Sequence, residues 1–227
     1  MNLAAIVKAR TLGFIEIDEL NTSGRVRLAD IVPEIVKRYD FKIFPTKIED
    51  FDLNDKGVVF SSGRLGDIVI DELKIYSGLI YVESLSTTED SHKVLIDLLE
   101  WGAENLGLTY TDGMIRHWAY VSHISFTTDF PLIKALSSPL DKIAEKTGKK
   151  VSEFFGEEIV YQPMNVVVGH DPRTRKYGIA PFSIQQRAGI KFDDNKFFSE
   201  APLPTELHIE YLREIEKAAQ DEWHDGR

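Results

Sequence analysis

The stretch Leu73-Lys74-Ile75-Tyr76-Ser77-Gly78-Leu79-Ile80-Tyr81-Val82 decides the fold class. Two apolar runs flank Ser77-Gly78, the kind of turn pair that a tight hairpin requires. A helix follows, opening at Thr87/Thr88 and carrying Val94, Leu95, Leu98 and Leu99 at helical spacing. A degenerate second copy begins 117 residues on (190 minus 73): Ile190-Lys191-Phe192-Asp193-Asp194-Asn195-Lys196-Phe197-Phe198-Ser199, then Thr205, Glu206, Tyr211, Leu212 and Ile215. The register holds without a gap, placing Lys74 on Lys191, Thr88 on Thr205, Glu89 on Glu206 and Leu95 on Leu212. Self-similarity at a fixed spacing points to a duplicated unit, so Ile190–Ser199 is expected to form a hairpin as well.

Working outward, Leu3–Val7 reads as a short edge strand or a helix turn, and Phe14–Ile17 as a strand. Leu28, Ile31, Ile35 and Tyr39 recur at helical spacing, although Pro33 belongs in a first turn, so that helix should begin near Asp30. Gly57–Ser62, Asp67–Tyr76 and Leu79–Leu85 read as strands. Alternation breaks at Asp71-Glu72, and a bulge there restores the inward face for Leu73 and Ile75. The helix after Thr87 has acidic Glu89 and Asp90 in its first turn and stops at Gly107.

Beyond it, Arg116–Phe126 is a strand, with Trp118, Tyr120, Ile124 and Phe126 on one face and His117, Val121 and His123 on the other. Leu132–Glu145 is helical in pattern, interrupted at Ser138-Pro139 and ended by Gly148. Ile159–Val168, Tyr177–Gln186 and Phe192–Ser199 complete the strands, and a helix runs from Thr205 to about Gln220.

Each half therefore reads as strand, helix, three or more antiparallel strands, helix. The fold class is α+β, an antiparallel sheet with helices packed on one face, as a tandem pseudo-repeat of β-α-βββ-α units. The halves are placed at 1–110 and 111–227, folded together. This order is similar to the tandem half-repeats of the TATA-box-binding protein family and to helix-grip folds. The similarity is one of topology, and topology does not supply function.

Composition narrows the function classes. With 227 residues the chain can bury a real core. It has no cysteine, which excludes disulfides, thiolate metal sites and cysteine nucleophiles. The net charge of −10 repels nucleic acid at long range. No run approaches the ~18 apolar residues of a membrane span. The first ten residues do not read as a signal peptide, so a cytoplasmic location without membrane association is expected.

Candidate site residues are few. Arg173, Arg175 and Lys176, beside His170 and Asp171, put three cations within four residues and could grip a phosphate or an acidic partner. Arg64 sits in a polar glycine-containing loop that lacks the lysine and spacing of a phosphate-binding loop. His117 and His123 would lie about 20 Å apart on one strand face, too far to share a metal. Asp193-Asp194-Asn195 reads as a turn. No nucleophile elbow and no His-Glu-x-x-His site occurs. Phe197-Phe198 must point to opposite faces of a strand, so one of them leaves the core.

No catalytic residue, metal or cofactor is assigned, and the balance leans away from an enzyme. The leading expectation is a protein that binds another protein or a second copy of itself. Nucleic acid or nucleotide is the alternative partner, through the open sheet face and Arg64, Arg173, Arg175 and Lys176. A small-molecule or hydrolytic pocket between the sheet and its long helices is the third.

Overall fold

A computed structural model describes residues 1–171, 173 and 178–225. Among these residues eight antiparallel strands and six α-helices follow one another as β1 (Asn2–Phe14), α1 (Ile17–Leu20), α2 (Leu28–Tyr39), β2 (Val58–Leu65), β3 (Ile68–Ile75), β4 (Ile80–Ser84), α3 (Thr88–Asn105), β5 (His117–Thr127), α4 (Leu132–Leu136), α5 (Asp141–Phe155), β6 (Asn165–Val168), β7 (Phe182–Gln186), β8 (Lys196–Ala201) and α6 (Thr205–Asp225). The chain divides into two compact units. An N-terminal unit holds Ile6–Ser122 with Leu203–Thr205, and a C-terminal unit holds Met1–Ala5, His123–Pro202 and Glu206–Arg227.

In the N-terminal unit the hydrogen-bonded order is β2-β3-β4-β1-β5. The hairpin around Ser77-Gly78 forms as the sequence indicates, with Ile75 opposite Ile80 and Leu73 opposite Val82. The bulge expected near Asp71 is present as a register shift between Ile70 and Glu72. It lets Ile70, Leu73 and Ile75 all enter the core. There they meet Ile35 and Tyr39 of α2 and Val94, Leu95, Leu98 and Leu99 of α3. The α3 cap is also as read: the Thr87 hydroxyl accepts from the Asp90 N–H, and the helix ends at Asn105, before Gly107 at φ 71°. Thr88 and Thr205, paired by the 117-residue register, meet in this unit. The Thr88 N–H donates to the Thr205 hydroxyl at 3.0 Å, and the Thr205 N–H donates to the Thr88 hydroxyl at 2.8 Å.

The amino-terminal strand differs from the expectation of a short edge piece. β1 is a 13-residue strand whose residues 9–13 pair with β4, while Ile17–Leu20 turns helical. Alternation of Ala9, Thr11 and Gly13 with Lys8, Arg10 and Leu12 hides its inner face, because small residues let α3 approach. The Thr11 hydroxyl bonds the Thr88 carbonyl at 2.8 Å. Helix α2 begins at Leu28, earlier than Pro33 suggested. Arg27 and Asp30 close its first turn through an ion pair.

In the C-terminal unit the order is β1-β5-β8-β7-β6. Its core joins Ile124 and Phe126 of β5, Ile184, Phe197, Leu132 and Ile133 of α4, and Leu212 and Ala219 of α6.

Two readings of this half are corrected. Gly148 does not end its helix; α5 runs on to Phe155, where Gly156 at φ 73° forms the cap. Gly148 lets a segment cross the helix closely: a Cβ there would lie 3.0 Å from the Ile159 carbonyl oxygen. The hairpin expected over Ile190–Ser199 is displaced. Its outgoing strand is β8, but Ile190 and Lys191 lie in a connection, and Phe192–Asp194 is a 3-10 turn. Gly189 at φ 75° and Asn195 at φ 44° place left-handed residues at both ends, which breaks strand geometry there. The element order β-α-α-βββ-α nevertheless occurs in each half.

Candidate interaction surface

The predicted basic tip is only partly described. His170 and Arg173 are exposed, and Arg175 and Lys176 lie outside the described residues. The Arg173 guanidinium donates to Asp171 through Nε at 3.2 Å and Nη2 at 3.0 Å, and the Arg173 N–H donates to the same carboxylate. These bonds hold the Asp171 carboxyl below its usual range. The His170 Nδ1 lies 3.0 Å from the Asp171 carbonyl oxygen. The tip thus brings together His170, Asp171 and Arg173, with the arginine fork already engaged. Arg173→Glu is expected to leave the unfolding midpoint unchanged, since the bonds of this side chain to Asp171 are local and solvent-exposed; urea denaturation checks this.

Arg64 is exposed on β2, opposite Val69. Two cations of β1 in the same unit, Lys8 and Arg10, are paired with carboxylates. Glu83, only 5% exposed, receives Lys8 at 2.7 Å and Arg10 at 2.6 Å. Lys8 also reaches Asp71 at 2.8 Å, and its hydrogen bond holds that carboxyl below the usual range. Arg10 stacks over Tyr81 at 4.4 Å, whose hydroxyl bonds Glu72. At Lys8 and Arg10 a phosphate would have to displace these carboxylates.

The aromatic pair splits as strand geometry demands. Phe197 is buried against Phe126, with ring centroids 5.5 Å apart, so it belongs to the core and to no surface. Phe198 is half-buried on the other face, its ring 5.4 Å from that of His123, which reaches Glu200 at 3.0 Å.

Sequence reading did not single out Ser199 and His208. Both are buried, with Oγ 2.8 Å from Nε2. The arrangement looks like a nucleophile and its base, but the protons run the wrong way. The serine has one proton, and it goes to the Ser183 carbonyl at 2.7 Å. The histidine therefore donates from Nε2 and cannot accept the serine proton. Burial, and then the charge of His123, lowers the His208 pKa to about 4. The pair is a structural tie.

The C-terminal unit also exposes several large apolar side chains. Helix α5 contributes one buried residue, Gly148. Phe154 and Phe155 are each 71% exposed, and Ile143 lies eleven residues before Phe154, about three turns along the same face. Across the helix runs the segment after Gly156, held where the Ser152 hydroxyl accepts the Ile159 N–H at 2.8 Å. That segment leads into β6, the last strand in the order, which pairs on one side with β7. Met164, Val167 and Val168 are exposed there. Phe154-Phe155 directly before glycine was the available sequence signal, since adjacent aromatics on a helix cannot both face one core.

Among the described residues no three His, Asp or Glu side chains lie close enough to hold a metal ion. Among the same residues no helix is long and apolar enough to cross a membrane. No protein-family model matches the chain, and no curated protein matches it.

Proposed function

We propose that this is a cytoplasmic, non-enzymatic protein that works by binding protein, and that its first partner is a second copy of itself joined along β6. The observation that carries the reading is the edge strand β6 with Met164, Val167 and Val168 exposed. An edge strand offers unpaired N–H and C=O groups to another chain, and native proteins usually protect such edges with charge, proline or a covering element. Asn165–Val168 contains none of these charges and no proline. Two copies of one strand pair antiparallel about a twofold axis, which closes the contact and leaves no edge to propagate. The exposed aromatics of α5 give the same unit further apolar area, of the kind found in an interface core.

The test is sedimentation velocity at tens of micromolar. The wild-type chain is expected as a dimer and Val167→Lys as a folded monomer, with weakened association for Phe154→Asp. A wild-type monomer, or a Val167→Lys protein that remains dimeric, overturns the self-association.

A further inference from the structure

We infer that the N-terminal unit contains a binding site for a small hydrophobic molecule, an alkyl or aromatic group with a neutral or cationic end. A partly enclosed cavity of about 200 Å³ lies between α1, α2, the sheet and the end of α3. Its floor includes buried Ile35 and Leu98, and its mouth half-buried Ile31 and Leu106. Protein interiors close on themselves at crystal-like density, and voids larger than a water molecule are few. An apolar cavity of about 150 Å³ is known to stay dry and accept benzene, so this one has room for about eight carbon atoms on the same scale.

Fifteen residues line the cavity, and two of them are polar. Asn21 is spoken for: its amide nitrogen donates to the Val26 carbonyl at 2.7 Å, and its oxygen accepts the Val26 N–H at 3.3 Å. Those two bonds shape the loop that forms one lip. The Thr109 N–H is likewise committed, to the Leu20 carbonyl at 2.7 Å. The other polar residue is Asp18, exposed on α1. A ligand therefore gains its affinity from apolar contact, and the charge it meets at the mouth is negative. That favours an alcohol or an ammonium end and disfavours a carboxylate. The site is separate from β6, which belongs to the other unit.

The experiment uses the full chain with carbon-13-labelled isoleucine and leucine methyl groups, titrated with 1-octanol, octylammonium and octanoate. Saturable shifts of Ile31, Ile35, Leu98 and Leu106 methyls are expected with the first two. Octanoate should bind about fivefold more weakly than octylammonium, as a charge of either sign near one exposed carboxylate implies, and Asp18→Asn should remove that difference. Ile31→Phe, which fills the mouth, should abolish the shifts. If that variant does not fold, the wild-type methyl map still decides the matter. Methyls that stay unshifted up to octanol saturation, or shifts confined to other parts of the chain, overturn the site. Octanoate binding as tightly as octylammonium overturns the charge preference. Val167→Lys should leave all these titrations unchanged.

Discussion

Replacing Gly63 by alanine is expected to cost about 3 kcal/mol, the upper end for forcing one extra carbon into a packed interior. Gly63 is a buried residue of β2, opposite Ile70 of β3. Its backbone is in close contact with the Phe41 ring: a Cβ on Gly63 would lie 2.5 Å from two ring carbons and 2.9 Å from the Tyr39 carbonyl oxygen. Neither neighbour can withdraw easily. The Phe41 ring is wedged between Phe60, at 5.4 Å, and Tyr39, at 5.8 Å. The chain around it is tied to β2 through the Ile43 N–H on the Ser61 carbonyl and the Ser61 N–H on the Ile43 carbonyl. Tyr39 is itself pinned, its hydroxyl donating to Asp97 at 2.6 Å while Arg38 grips the same carboxylate.

The decisive measurement is a cycle of Gly63→Ala, Phe41→Leu and the double variant by urea unfolding. The double variant should lose less than the sum of the singles, because the smaller side chain frees the space the methyl needs. Rescue should be incomplete, since the Tyr39 carbonyl is backbone and does not shrink. Strict additivity, or a Gly63→Ala protein as stable as wild type, would show that the ring and strand separate without cost.

The second large effect is one of pH. Lowering the pH from about 7 to about 5 is expected to remove on the order of 2 kcal/mol of stability through His208 alone. The sign follows from linkage. His208 is fully buried in the fold, and its pKa is lowered to about 4, from an ordinary 6.5. Between those values the unfolded chain carries a proton on this imidazole that the folded chain does not. The unfolded state therefore binds more protons, and stability falls as the pH drops through that window.

The burial has a visible cause. The ring is held between the Ser199 hydroxyl and the edge of Phe182, at 5.4 Å. His123, which pairs with Glu200, adds repulsion when it is protonated. Substitution by glutamine supplies a donor for Ser199 without a titrating group. His208→Gln should be less stable than wild type near neutrality yet show a flatter profile between pH 7 and pH 5. A variant that loses as much stability as wild type over that range would move the acid sensitivity to another group. Paired carboxylates such as Asp97 and Asp71, whose folded pKa values are lowered, release their stabilisation only at more acidic pH.

The interaction surface was the least legible part. Alternation correctly split Phe197 from Phe198, but it could not say that the exposed member would lean on His123. The apolar surface at α5 escaped because the helix was expected to end at Gly148, which left Val151, Phe154 and Phe155 outside it. Periodicity reports which side chains share a face, and it is silent on whether another element covers that face. The Ser199–His208 tie was hidden for a similar reason: nine residues and a strand end separate them, and only packing brings the ring to the hydroxyl.

What the sequence determined by itself was local. It set the hairpin at Ser77-Gly78, the bulge at Asp71, the threonine cap of α3 and the α+β class, because turn preferences, alternation and capping are decided within a few residues of chain. Tertiary structure decided what depends on neighbours far along the chain. It drew residues 2–14 into one long strand that lies between β4 and β5. It carried α5 past Gly148, where the segment around Ile159 crosses close to the helix backbone. It replaced the second hairpin with a longer connection through Gly189 and Asn195. In each case the local preference was weak, and pairing partners or close contacts elsewhere in the fold outweighed it.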